Sequence, residues 1–421
     1  MKKILIISSY APPAIGGPQI LYNLLKDFPS DSYSILTSFY NIDNLSAQKG
    51  TWLRCRYFFY DNLKKTKEDR IKASQINTID QKKSSLLLRL KNFVRRNSLV
   101  RNIIGIPVIF IQIFWIIRSG KAVIKERNPD MLLSISDYGP AMISTYFLSK
   151  ITKKPFTVFL FDLYRGSFYP FPGNILADIF EKRIFKMASR IIVTNQGTKN
   201  LYIKRYGDIF TEKISIVHNS ISPELYLPLI TPYQPTPPYK ILFTGRIYWP
   251  QIRSLQNLVK AINEINDLDI RLDIYCPNTS DYLKKIGIVE NDKIKISVAS
   301  PQDIPKIQSQ ADILFLPLSW KTKSQAIIDT ATPGKFTDYL IAGRPMLIHA
   351  PASSYLVKYA RENNIAAIVD QENIQDLQNM IRRIVKDMDF SKEIIKNAQR
   401  LFFENHDINK NVKIFRLFFE K

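Results

Sequence analysis

The chain has 421 residues, 45% of them hydrophobic and 23% charged, with 60 Lys+Arg against 37 Asp+Glu and a formal charge of +23. At roughly 150 residues per domain this length holds two to three domains, and the apolar fraction is enough for real cores. A disordered chain and a disulfide-stapled mini-domain are therefore excluded. Cys55 and Cys276, 221 positions apart, form no metal or redox spacing and fit a reducing compartment.

The N-terminal run Ile4–Ile7 is too short for a signal-peptide core and reads as a first buried strand. It leads into Ser8-Ser9-Tyr10-Ala11-Pro12-Pro13-Ala14-Ile15-Gly16-Gly17-Pro18, followed by a helical pattern over 19–28. Gly16 and Gly17 at the mouth of a helix let backbone N–H groups approach an anion, although the dinucleotide pattern GxGxxG is absent. Plain turn chemistry is the competing reading.

Residues 51–120 hold 15 Lys+Arg and 4 Asp+Glu, a balance of +11. No zinc finger, RRM octapeptide or KH loop accompanies this charge, so nucleic acid is not the expected partner. Within it, Leu86, Leu90, Phe93 and Val94 recur at helical spacing with Arg89, Lys91, Arg95 and Arg96 around them. The apolar run Ile103–Ile117 follows at once; its 15 residues include Pro107 and Gln112. That is below the ~18–20 needed to span a bilayer, and the pairing predicts contact with an anionic membrane surface. A buried helix beside a solvated one is the alternative.

Apolar strand signals at 33–37, 131–136, 156–161, 191–194 and 214–218 complete a first block with helical patterns between most of them. The stretch 231–238, Thr-Pro-Tyr-Gln-Pro-Thr-Pro-Pro, can propagate neither a helix nor a central strand and is the expected linker. A second block restarts at Lys240 with strand signals at 272–275, 294–298, 313–316, 346–349 and 366–369. The prediction is α/β: two doubly wound Rossmann-like domains, 1–230 and 239–400, facing across a cleft, with 401–421 a terminal helix returning to the first.

The second block supplies its own cations. Gly245-Arg246 closes its first strand, and Arg253 follows near the start of the next helix, so two guanidiniums could clamp a diphosphate. The segment 329–345 reads DTATPGKFTDYLIAGRP. Thr332 is a plausible N-cap with Pro333 at the first helical position, Gly334-Lys335 brings a cation to the free amides, and Asp338 lies one turn on. Amides and cations suit phosphate; an acid suits the vicinal hydroxyls of a ribose. A capped surface helix is the competing reading. Two Asp-x-Asp triplets, 267–269 and 387–389, sit at helix ends, and no metal site is expected.

The sequence PPAIGGPQ, a proline-rich hinge, LFTGRIY and PGKFTDYLIAGRP, in this order, resembles the GT-B glycosyltransferases, specifically the retaining family 4 enzymes. The resemblance implies that Gly16 and Gly17 lie under a donor diphosphate, that Arg246 stabilises the departing nucleoside diphosphate, and that Asp338 holds the ribose. Asp162-Leu163-Tyr164 resembles a stretch lining the cleft from the first domain, so Asp162 joins Arg246 as a catalytic candidate. The sequence departs from the family pattern at Thr330, where the first acid of E-x7-E is expected, and in the loop after Arg246, which lacks the family's lysine. The implied activity is transfer of a sugar from a nucleotide-diphosphate sugar to a lipid-linked or saccharide acceptor, with retention and without a metal or other cofactor. It would serve cell-surface polysaccharide or glycan synthesis, in the cytoplasm at the inner face of the cell membrane. A non-catalytic nucleotide-sugar-binding subunit and a nucleotide-sugar epimerase are the alternatives.

Overall fold

A computed structural model describes every residue except 15, 77–97, 168–170 and 421, with side chains also left aside at 76 and 98–104. The basic helical pattern expected from Leu86 to Arg96 lies outside the described residues. The chain divides into two compact units, Met1–Val217 with Val412–Lys421, and His218–Asn411. The division falls ahead of the expected boundary, and the proline-rich stretch 231–238 belongs wholly to the second unit.

In the first unit the described strands are β1 (Ile4–Ile7), β2 (Tyr33–Thr37), β3 (Arg56–Phe59), β4 (Met131–Ile135), β5 (Phe156–Leu160), β6 (Arg190–Val193) and β7 (Ile214–Ile216). They form one parallel sheet in the order β3-β2-β1-β4-β5-β6-β7. Ile4 faces Tyr33 on one side and Met131 on the other, so the strand order reverses between β1 and β4. β1, β2, β4 and β5 are buried along their whole length, as a parallel sheet covered on both faces requires. β3 was not expected from the sequence. The terminal segment returns to this unit: Lys2 N–H donates to the Phe419 carbonyl at 2.8 Å, and Phe415 packs 5.7 Å from Phe159 between ring centres.

The apolar run 103–117 proves to be part of one long helix, Ser98–Arg127, which carries Pro107 inside it. Its stretch Gly105–Arg127 is long and apolar enough, by length and composition alone, to cross a membrane, which corrects the shorter run expected. Ile109, Ile113, Ile116 and Val123 are buried, a helical stripe facing the unit. Gly120 lets the helix close on the neighbouring one, since a Cβ there would lie 2.5 Å from Leu148 Cδ1. Ile106, Phe110, Ile111, Phe114 and Trp115 occupy the other side and are exposed.

The second unit holds β8 (Tyr239–Thr244), β9 (Ile270–Tyr275), β10 (Ile294–Ser297), β11 (Ile313–Pro317), β12 (Met346–His349) and β13 (Ala367–Val369). Their order, β10-β9-β8-β11-β12-β13, is again parallel, with the reversal between β8 and β11. Side chains alternate across this sheet: Ile241 and Phe243 join one buried cluster with Leu255, Leu258 and Ile381, while Leu242 joins the other with Leu340 and Phe402.

Candidate active site

In each unit the candidate residues gather at the carboxyl ends of the strands flanking the reversal, where doubly wound sheets bind ligands. In the first unit, the helix Gly17–Leu25 opens just after the β1 loop, with Pro18 in its first turn. Gly16 has φ +91°, a conformation that favours glycine. Gly17 is required for another reason: a Cβ would lie 2.7 Å from Phe161 Cδ2. The Gly16-Gly17 turn is thus seated against the residue that precedes Asp162. Phe161 N–H donates to Ser136 Oγ at 3.0 Å, and Asp162 is exposed just beyond.

One acid of this edge was missed by the sequence analysis. Asp137, just past β4, is buried and accepts from Gly139 N–H at 2.8 Å, Ala141 N–H at 3.0 Å and the Ser9 hydroxyl. Burial raises its pKa. It caps the helix Pro140–Thr152 and ties it to the β1 loop. The run Ser136-Asp137-Tyr138-Gly139-Pro140 carries the local cap signal, but the partner Ser9 lies far away in sequence.

In the second unit β8 ends in Gly245, with φ +103°, and Arg246. Arg246 is exposed and, among the described residues, has no hydrogen-bond or ion-pair partner. Beside it stands Lys335, whose Nζ lies 3.6 Å from the centre of the Phe243 ring. That Nζ is buried and, among the described residues, has no hydrogen-bond partner. A Cβ on Gly245 would sit 3.5 Å from it, so the glycine leaves the space beside the ammonium open. Burial pushes the Lys335 pKa down to about 7, partly opposed by the charge of Asp338. Burial pushes Asp338 up to about 7, against the stabilising effect of Gln308, Lys335 and Tyr226. These partners are themselves fixed: Tyr226 OH donates to Gln308 Oε1 at 2.5 Å, and Gln308 Nε2 to Thr244 Oγ1 at 3.0 Å. Gln308 and Tyr226 thus stand beside the acid, locked to each other and to the last residue of β8.

Other sequence candidates fall elsewhere. The helix after Asp329 begins at Lys335, with Gly334 in the cap position and no side-chain cap. Thr332 and Pro333 therefore precede it rather than cap and open it. Phe336 N–H instead donates to the Pro333 carbonyl at 2.8 Å, closing a turn that brings Lys335 to β8. Thr330 is buried and bonds back to the Ala326 carbonyl at 2.7 Å, and Asp329 is engaged by Gln325 and Ser353, so neither restores the missing acid. The Arg253 guanidinium pairs with Glu372 and lines a separate cavity of about 490 Å³ with Gln256, Asn257 and Lys260. It does not join Lys335. A cavity of about 280 Å³ at the ends of β9 and β10, lined by Cys276, Asn278, Ser297 and Val298, went unnoticed in the sequence. Cys276 is near enough to Lys335 for their charges to interact. Among the described residues no group of three or more His, Cys, Asp or Glu gathers as a metal set.

This architecture, with one ligand edge per sheet, is that of the two-domain nucleotide-sugar enzymes. Residues 238–387 match the family model of glycosyl transferases group 1, and residues 86–225 match that of glycosyltransferase family 4. Together the matches cover more than half of the chain, which belongs to the glycosyltransferases of the GT-B type. No curated protein sequence matches it. Among solved structures it is similar to sucrose-phosphate synthase from Thermosynechococcus elongatus, at 13% identity and a TM-score of 0.64 over 99% of this chain and 98% of that one. Anabaena HepE in complex with UDP and glucose is similar at 13% identity and TM-score 0.61, over 99% and 98% of the two chains. WaaG, a glycosyltransferase involved in lipopolysaccharide biosynthesis, is similar at 11% identity and TM-score 0.60, over 99% of each chain. At these identities the likeness establishes the fold.

Proposed function

We propose that the protein transfers a glycosyl group from a nucleoside-diphosphate sugar to a saccharide or lipid-linked acceptor, with retention at the anomeric carbon and no metal. The observation that carries this reading is the placing, at the end of β8, of the Lys335 ammonium, whose buried Nζ has no hydrogen-bond partner among the described residues, near the half-buried acid Asp338. The ammonium and the free Arg246 suit the diphosphate; Asp338 suits a ribose; the cavity beside Cys276 suits the rest of the nucleoside. HepE, bound to UDP and glucose, offers a precedent on the same fold. Front-face substitution asks the protein chiefly to stabilise the leaving group and align the reactants, and Arg246 fits the first task. Asp162, with Gly16 and Gly17, would face the transferred sugar and its acceptor.

We infer that this happens at the inner face of the cell membrane, in cell-surface glycan synthesis. Support comes from the exposed row Ile106, Phe110, Phe114 and Trp115, with Arg118 5.8 Å over the Trp115 ring, within the 51–120 part of the sequence that carries the excess positive charge. Because the opposite side of this helix is packed into the unit, it would lie in the interface rather than span it.

Calorimetric titration with a panel of nucleotide sugars is the test. Saturable binding of one of them supports the reading, and absence of binding to every member overturns it. Thr330 in place of an acid favours a second reading, a donor-binding subunit without transfer. Tight donor binding without product across saccharide and lipid-linked acceptors would select it.

A further inference from the structure

Glu181, on the helix Gly173–Met187, is completely buried, yet no part of the reaction proposed above uses it. Its carboxylate collects donors from two segments, the loop at Arg165 and the helix Gln196–Tyr206. Arg165 N–H reaches Oε2 at 2.6 Å, Arg205 reaches Oε1 at 2.9 Å, and the Tyr206 and Tyr202 hydroxyls complete the set. The same Arg205 guanidinium donates to the Arg165 carbonyl at 3.0 Å. One ion pair thus grips both the N–H and the C=O of a single residue. A buried pair of this kind adds little net stability over apolar packing, so what it specifies is geometry.

The gripped residue lies three positions beyond Asp162. On the other side of Asp162, Phe161 N–H is held by Ser136 Oγ at 3.0 Å. Between these anchors Leu163 and Tyr164 are buried while Asp162 is exposed. The carboxylate of Asp162 therefore projects from a short segment pinned at both ends. We propose that the Glu181–Arg205 pair is a positioning device that sets where Asp162 stands. This inference rests on the role given to Asp162 above.

Two variants separate positioning from mere stability. Glu181→Gln keeps the shape but loses the charge that pairs with Arg205. The double variant Glu181→Leu with Arg205→Met replaces the pair by apolar groups and restores folding without restoring the grip. Amide exchange over 163–167 in the full chain should speed up at least about tenfold in both variants, while the thermal midpoint of the double variant stays near that of the parent. On the nucleotide sugar selected by titration, kcat should fall about tenfold to a hundredfold with KM for the donor unchanged, in the double variant as well. A purely structural role predicts parental exchange and kcat in the double variant, and that result overturns the proposal. The exchange measurement needs no substrate, so it judges the grip alone. Asp162→Asn with undiminished kcat would overturn the role of Asp162 instead, whatever the exchange shows.

Discussion

The two strand edges of this protein solve opposite problems. The edge in the second unit keeps Arg246 exposed but draws two other ionisable groups away from solvent: Lys335 and Asp338 both have their pKa values moved toward neutrality by desolvation. The edge in the first unit leaves Asp162 accessible, although the surrounding protein raises its pKa by desolvation as well, and spends its buried acid, Asp137, on capping a helix and tying down the β1 loop. Burying a charge without a close partner costs stability, so the second edge is pre-strained for a ligand that supplies the missing charge. The first edge is a rigid frame with one group held out from it. A charged donor suits the former and a hydroxyl-rich acceptor the latter.

The sharpest way to break this contrast is Arg246→Ala. With no partner among the described residues to lose, the exposed guanidinium can be removed with the thermal midpoint expected to stay unchanged. Turnover should fall about 10²–10³-fold through lost stabilisation of the leaving group. Near-normal transfer by the folded variant would remove Arg246 from the mechanism.

Lys335→Met ranks next and should move two properties in opposite directions. Donor binding should weaken by about 1.5–3 kcal/mol, the worth of a charge-assisted contact, as read by titration. Stability should rise, because an ammonium buried against the Phe243 ring becomes a thioether. Since the folded pKa lies below the unfolded one, the cost of burying the charge is greatest at and below pH 7 and fades as the unfolded lysine titrates near pH 10.5. The gain in thermal midpoint should therefore shrink between pH 7 and 10. A midpoint that falls at pH 6.5 would show that the ammonium stabilises the unit and is not held in reserve for a ligand.

How much of this was legible in the sequence follows from how local each feature is. Buried parallel strands read as unbroken apolar runs, so β1, β2, β4 and β5 stood out; β3, Arg-Tyr-Phe-Phe, was lost within a basic stretch. The apolar run 103–117 stops at Arg118, whereas the helix continues through that residue to Arg127. Gly16, Gly17, Arg246 and Lys335 lie in loops or at the first residue of a helix, in stretches that announce themselves by composition. Long-range partners do not. The Glu372 that takes Arg253 is 119 residues away, and the Gln308 and Tyr226 that stabilise the charge of Asp338 come from two further segments. Asp137 was passed over because its meaning depends on Ser9, 128 residues earlier.

Gly17→Ala probes the frame of the first edge. The added methyl would meet the Phe161 ring at 2.7 Å, and relieving that overlap should cost about 1–3 kcal/mol in denaturant unfolding. Phe161→Leu in the same chain should recover part of the loss. Gly16→Ala meets no neighbour within 4 Å but is strained by φ +91°, so its cost should be indifferent to Phe161. Equal rescue of both variants would dissolve the distinction between contact and backbone strain at this turn.

The smallest expected effect concerns pH and is confined to the second edge. Between pH 6 and 8 the coupled Lys335–Asp338 pair, with pKa values near 7, gives up protons, whether by loss of the ammonium charge or by gain of the carboxylate charge. Each change makes the site less favourable to a diphosphate, so the two titrations act in the same sense and binding weakens as pH rises. The diphosphate of a nucleotide sugar is esterified at both ends and keeps a constant charge over this range, unlike that of a free nucleoside diphosphate. The change therefore belongs to the protein and should amount to about tenfold in Kd, one pKa unit of lost proton linkage. Lys335→Met should flatten most of this slope, leaving the remainder to Asp338, and Asp338→Asn should remove that remainder. An unchanged slope in Lys335→Met would place the titrating group outside the β8 edge and undo the view of its buried pair as a charge reserve.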